Sequence, residues 1–142
     1  MTTRIKPAVW FWILSVILLL WNLIGLTAFL TEAFAPELVT QAYDEKQMEL
    51  YNARPGWYLF NFGLAVFTGT LSCVLLLARR KFAVTLAVVS LVSIMISSVY
   101  TYSSGELDAV GMSEQTLFYM VLLMDVVLVL FAVHASRKRW IV

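Results

Sequence analysis

One residue in this chain has a type and position that point to chemistry: Asp125, in the middle of the almost wholly apolar run 116–135. A helix rises about 1.5 Å per residue, so a run of this length crosses the roughly 30 Å hydrocarbon layer and places its middle near the midplane. An ionised Asp at that depth costs about 2.5 to 3.5 kcal/mol on insertion scales, so it must face protein or water rather than lipid. On its own helix the residues three, four and seven positions away are Phe118, Val121, Leu122, Leu128, Val129 and Ala132, and none bonds a carboxyl through its side chain. A partner has to come from another helix, another subunit, water or a ligand. A carboxyl so placed can relay a proton or hold a solute. The competing readings make it a packing residue, protonated or amide-bonded, or a contact to a partner protein.

Three further polar side chains are expected at similar depth: Asn22, Thr68 and Ser93. If they converge on Asp125, the Asn22 amide can donate to the carboxyl and the two hydroxyls can complete a buried network. Asn61, nearer one end of its segment, joins them as a candidate for a transport or proton path. Asn61, Ala65, Thr68 and Ser72 fall at i, i+4, i+7 and i+11, one helical stripe of small and polar residues, and Ala65, Gly69 and Cys73 form a small-residue row beside it. The next segment repeats the pattern with Ser90, Ser93, Ser97 and Thr101. In lipid, helices associate through close approach at small residues and through hydrogen bonds between helices, so these stripes read first as packing faces. Gly25, Ala65, Gly69, Cys73, Ser90 and Ser97 are the expected packing residues. Serines can also bond their own i−4 carbonyls and be buried without any ligand.

The elements that must position these residues are membrane helices. The 142 residues are 61% hydrophobic and 13% charged, with mean hydropathy +0.85, against about 25% charged in a soluble domain. Four segments, about 8–31, 57–78, 82–102 and 116–135, have the length and apolarity of a span. The expectation is a single all-α membrane domain, 1–142, built as a four-transmembrane-helix bundle. A β-barrel is excluded because the runs are continuously apolar rather than alternating. The first segment resembles a signal peptide, but its apolar run is too long for a signal h-region and Pro36 would follow the cleavage site, so it is expected to stay attached.

Charge sorts the connections. Eight of the ten Lys and Arg residues lie at the N-terminus, in the 79–81 turn or at the C-terminus, while eight of the nine acids lie in the loops 32–56 and 103–115. The positive-inside rule then places both termini in the cytoplasm and both acidic loops outside. In the first loop, Pro36 and a weak apolar stripe predict a short helix over 36–52, read as a solvated cap or alternatively as a lid or docking element. Arg79, Arg80, Lys81, Arg137, Lys138 and Arg139 are candidates for contacts to anionic lipid headgroups. His134 reads as an interfacial residue. The single cysteine forms no internal disulfide, and no nucleophile–His–acid set, haem-binding His pair, metal cluster or phosphate loop is present. No catalysis, cofactor, metal or nucleic-acid partner is expected.

Some features are shared with a known group. The opening Lys6–Pro7–x–x–Trp10–Phe11–Trp12, the Trp21–Asn22–Leu23 run, the acidic loop closing on Pro55–x–Trp57 and the Arg79–Arg80–Lys81 turn resemble uncharacterised small bacterial four-helix inner-membrane proteins. Some of these carry the automatic label "sugar transporter". The resemblance implies an inner-membrane location and a transport role, and it transfers no site residues. Two functions follow as expectations: a small carrier or channel for a polar solute or protons, assembled as a homo-oligomer, and an accessory subunit docked on a larger membrane complex.

Overall fold

The computed structural model describes residues 5–109 and 111–142, which leaves Arg4 of the basic N-terminus outside the described residues. The protein is all-α. Among the described residues, four helices are long and apolar enough to cross a membrane: α1 (Val9–Phe34), α4 (Gly56–Leu77), α5 (Phe82–Ser104) and α7 (Met112–Arg137). Between them lie α2 (Pro36–Thr40), α3 (Glu45–Asn52) and α6 (Glu106–Ala109). Hydrocarbon supplies no hydrogen-bond partner to the backbone, so apolar runs of this length close their bonds internally as helices.

The ends of these helices follow from local chemistry. α1 stops at Ala35 because Pro36, which lacks an N–H, opens α2 at its first position. The predicted helix over 36–52 is two helices rather than one. Asp44 restarts the chain with a reciprocal cap, its carboxylate accepting from the Gln47 N–H at 2.8 Å while the Gln47 side chain accepts from the Asp44 N–H at 3.0 Å. Gly105, at φ 86°, ends α5 in the left-handed conformation. Two arginines do the same work elsewhere. Arg79 (φ 58°) and Arg139 (φ 59°) follow α4 and α7, and the N–H of the next residue reaches back to Leu75 and Ala135, respectively.

The spans pack in the order α1, α4, α5, α7, with α4 and α5 in the middle and the tightest pair. The second predicted span therefore occupies a central place, as its two small-residue faces require. A ladder of cross-helix hydrogen bonds joins it to α5: Tyr58 to Thr101 at 3.0 Å, Asn61 Nδ2 to the Ser93 carbonyl at 2.7 Å and Ser97 Oγ at 2.6 Å, and Ser72 Oγ to the Ala83 carbonyl at 2.7 Å. α1 lies on α4, α7 lies on α5, and α1 meets α7 only slightly.

That slight meeting is at one end. Phe11 stacks on Phe131 and Trp140, and Trp10 on Phe131, His134 and Trp140. Leu18, Leu76, Leu128, Ala132 and Ile141 complete this core. Here the N-terminus, the 79–81 turn and the C-terminal tail are tied together. The Ile5 N–H donates to the Arg139 carbonyl at 2.9 Å, Lys81 to Val142 at 3.1 Å and Val142 to Arg79 at 3.2 Å. The described basic residues other than Lys46 and Arg54 thus share one end of the bundle and the acidic loops the other.

Candidate functional site

Asp125 is 7% exposed and lies where the packed part of the bundle stops. On α1 the buried residues are Phe11, Ser15 and Leu18, and on α7 burial begins at Asp125 and continues toward the basic end. Beyond these points α1 and α7 no longer close on each other. The gap between them, floored by α4 and α5, is a cavity of about 210 Å³. Asn22 and Gly25 line it from α1, Ala65 and Val66 from α4, Ser90 from α5 and Asp125 from α7. No Lys, Arg or His lines it among the described residues.

The partner of Asp125 is Ser90, expected as a packing residue. The Ser90 hydroxyl lies 3.3 Å from Oδ1 and 3.2 Å from Oδ2 of the carboxyl, and 2.8 Å from the Ala65 carbonyl. One hydroxyl hydrogen faces three acceptors, and the shortest contact is to the Ala65 carbonyl. The carboxyl is therefore left short of donors.

The expected network around Asp125 is only partly assembled. Asn22 shares the cavity, but its amide donates to its own helix, to the Leu18 carbonyl at 2.8 Å, and points to Cys73 Sγ at 3.5 Å. Thr68 bonds the Leu64 carbonyl of its own turn at 2.7 Å. Ser93 offers its carbonyl to Asn61 within the α4–α5 ladder, so Asn61 and Ser93 belong to helix packing. For Asn22 and Thr68 the physical reason is the i−4 carbonyl, which lies within reach of a short polar side chain and takes its donor before a more distant carboxyl can. Of the expected transport candidates, Asp125 and Asn22 line the cavity and Asn61, Thr68 and Ser93 do not.

Of the expected packing residues, Gly69 marks a close approach of helices, whereas Gly25 does not. A Cβ added at Gly69 would run into Oδ1 of Asn22 and come within 3.2 Å of Ser90 Oγ, so the absence of a side chain there lets α1 and α5 reach across α4. A Cβ at Gly25 would make an ordinary contact with Val66. Ala65 and Cys73 are fully buried, and Ser97 accepts from Asn61. Among the basic candidates, Arg80, Lys81, Arg137, Lys138 and Arg139 are exposed. Arg79 differs: its guanidinium donates to the carbonyls of Trp140 at 2.9 Å and Ile5 at 2.7 Å and helps hold the termini together.

A second polar cluster, at the acidic end, was not singled out in the sequence. Arg54 donates to Glu32 at 2.7 Å and to Glu106 at 2.6 Å, and lies over the rings of Tyr51 and Tyr58. Burial opposes the Arg54 charge, but Tyr58, Glu106 and Glu32 outweigh it and hold the guanidinium above the ordinary arginine value. Gln47 donates to the Ala109 carbonyl at 3.0 Å, so α3 is docked on the second connection by both contacts. The available signal was that Arg54 and Lys46 are the only cations among the acids of these loops. No protein-family model, curated protein or solved structure matches the chain.

Proposed function

We propose that this integral membrane protein is a small carrier in which Asp125 contacts the transported solute or proton. The observation that carries the reading is the placement of the carboxyl: it opens onto a cavity between two spans, has one weakly placed hydroxyl beside it, and meets no cation on the cavity wall. Ionisable groups at this depth are costly, and they mark solute or proton pathways or paired sites. Below the cavity the aromatic core closes the basic end. A solute at Asp125 can leave on that side only if the helices rearrange, which is the behaviour of a carrier rather than of an open channel. The charge distribution supports cytoplasmic termini in an inner membrane, with the exposed basic residues beside anionic lipid headgroups.

The test is flux in proteoliposomes containing the purified full chain. A proton or solute flux that Asp125→Asn abolishes, with expression and folding retained, is the expected result. If Asp125 is instead only a packing residue, Asp125→Leu combined with Ser90→Ala should fold normally and leave any flux intact, since removing both partners leaves neither unsatisfied. Absence of flux together with stoichiometric co-purification of a larger membrane complex would favour the accessory role.

A further inference from the structure

We infer that the ligand of the α1–α7 cavity is an amphipathic organic amine, a single protonated nitrogen on a compact apolar or aromatic body, which reaches Asp125 sideways from the bilayer. This inference rests on the carrier reading for its use but not for its chemistry.

The chemistry follows from what the cavity offers. The carboxyl is short of donors: the Ser90 hydroxyl oxygen lies closer to the Ala65 carbonyl than to the carboxyl, and the Asn22 amide donates to Leu18. A ligand bearing N–H groups and positive charge supplies both what the carboxylate is missing and what the empty wall does not contain. A charge-assisted N–H bond to a carboxylate is also roughly twice as strong as a neutral one. The rest of the lining is apolar, with the rings of Trp21 and Phe62 on it. Those rings can cover a hydrocarbon body, and an indole face attracts a cation. A sugar-like solute would instead bury many hydroxyls against walls that bond few of them, at the cost of each one left unmade.

The route follows from the lips. Ile24 on α1 is 66% exposed and Leu117 on α7 is 56% exposed, and both line the cavity. They lie beyond the last buried residue of α1, Leu18, and before the first of α7, Asp125. Exposed apolar side chains on two parted membrane helices face acyl chains, so the opening is lateral. Only a molecule that already partitions into the bilayer arrives there, which selects amphipathic amines over small hydrophilic ones. Among the described residues, the titratable group from another element that interacts with the carboxyl is Cys73 of α4, which lies outside the cavity lining, and the lining from α1, α4 and α5 carries none.

The experiment measures equilibrium binding of radiolabelled phenethylamine, as its cation, to the full chain in lipid nanodiscs, with empty nanodiscs subtracted. Competitors are 2-phenylethanol (body without charge), methylammonium (charge without body) and glucose. Saturable binding is expected, with each competitor at least tenfold weaker than unlabelled phenethylamine, and with at least tenfold loss in Asp125→Asn. Ala28→Phe, which narrows the mouth and leaves the carboxyl in place, should weaken binding similarly and covers the case in which Asp125→Asn fails to fold. Equal competition by 2-phenylethanol, or by methylammonium or glucose, would overturn the assignment, as would unchanged binding in folded Ala28→Phe. Asp125-dependent proton flux without amine binding would overturn this inference and leave the carrier reading standing. Amine binding that needs Asp125 but produces no flux would do the reverse.

Discussion

At the basic end of the bundle, Phe11, Leu128, Phe131 and Trp140 bury one another between α1, α7 and the C-terminal tail. At the acidic end the same two helices contribute no buried side chain, and the structure is held instead by Arg54 between Glu32 and Glu106 and by α3 on the second connection. One half joins α1 to α7 directly by shape; in the other, α1 packs through Phe29 on Phe62 and Phe67 of α4, and directed polar contacts tie its end to the loops. Lipid is as apolar as a leucine, so helices in a membrane gain little by hiding apolar surface and separate readily where shape does not hold them. Asp125 sits at the boundary between the two regimes.

The packed half should be the more stable of the two. Phe131→Ala should lower unfolding stability by about 3–5 kcal/mol, the range for such truncations in soluble cores, whereas Leu117→Ala in the parted half should stay within about 0.5 kcal/mol as an exposed substitution does. Chemical denaturation in mixed micelles measures both, and equal effects would erase the distinction. Next in size, Arg54→Gln should cost about 1.5–3 kcal/mol by removing charged hydrogen bonds from Glu106, which is 7% exposed. The loss should be local, with faster amide exchange in α3 and α6 and no change around Phe131. Exchange that speeds up throughout the bundle would show that the two ends are not independent.

A smaller effect sharpens the boundary itself. Gly69→Ala should cost about 1 kcal/mol by overpacking. The atom it displaces is the end of the Asn22 side chain, which has the cavity to turn into, and Gly69→Leu should cost more. A neutral Gly69→Leu would mean that α1 and α5 do not meet across this position. Smallest is Ser72→Ala, which removes one rung of the α4–α5 ladder and should cost about 0.6 kcal/mol, the average for a hydrogen bond between membrane helices.

The fold was legible in the sequence because length, apolarity and charge bias act over whole segments. The small-residue stripes of α4 and α5 likewise reveal a shared face, since period and residue size alone define it. The break between α2 and α3 was legible too, in Asp44 and Gln47, but a weak apolar stripe through 36–52 masked it. The site was harder to read. Depth along a helix can be counted, so Asp125, Asn22, Thr68 and Ser93 could be placed at one level, but rotation about the axis and competition from i−4 carbonyls decide which of them meet. Ser90, one turn from the expected Ser93 and on the same stripe, is the hydroxyl that faces the carboxyl. The parting of α1 from α7 leaves no mark in either sequence, because lipid-facing and packed positions are equally apolar.

The most direct test of that parting is carbodiimide labelling of Asp125 in native-like membranes, read as a mass shift on the peptide that carries it. Dicyclohexylcarbodiimide, which dissolves in the bilayer, should modify Asp125, and a water-soluble carbodiimide should not, with no adduct on that peptide in Asp125→Asn. Modification by the water-soluble reagent alone, or by neither, would contradict a carboxyl that opens sideways to lipid.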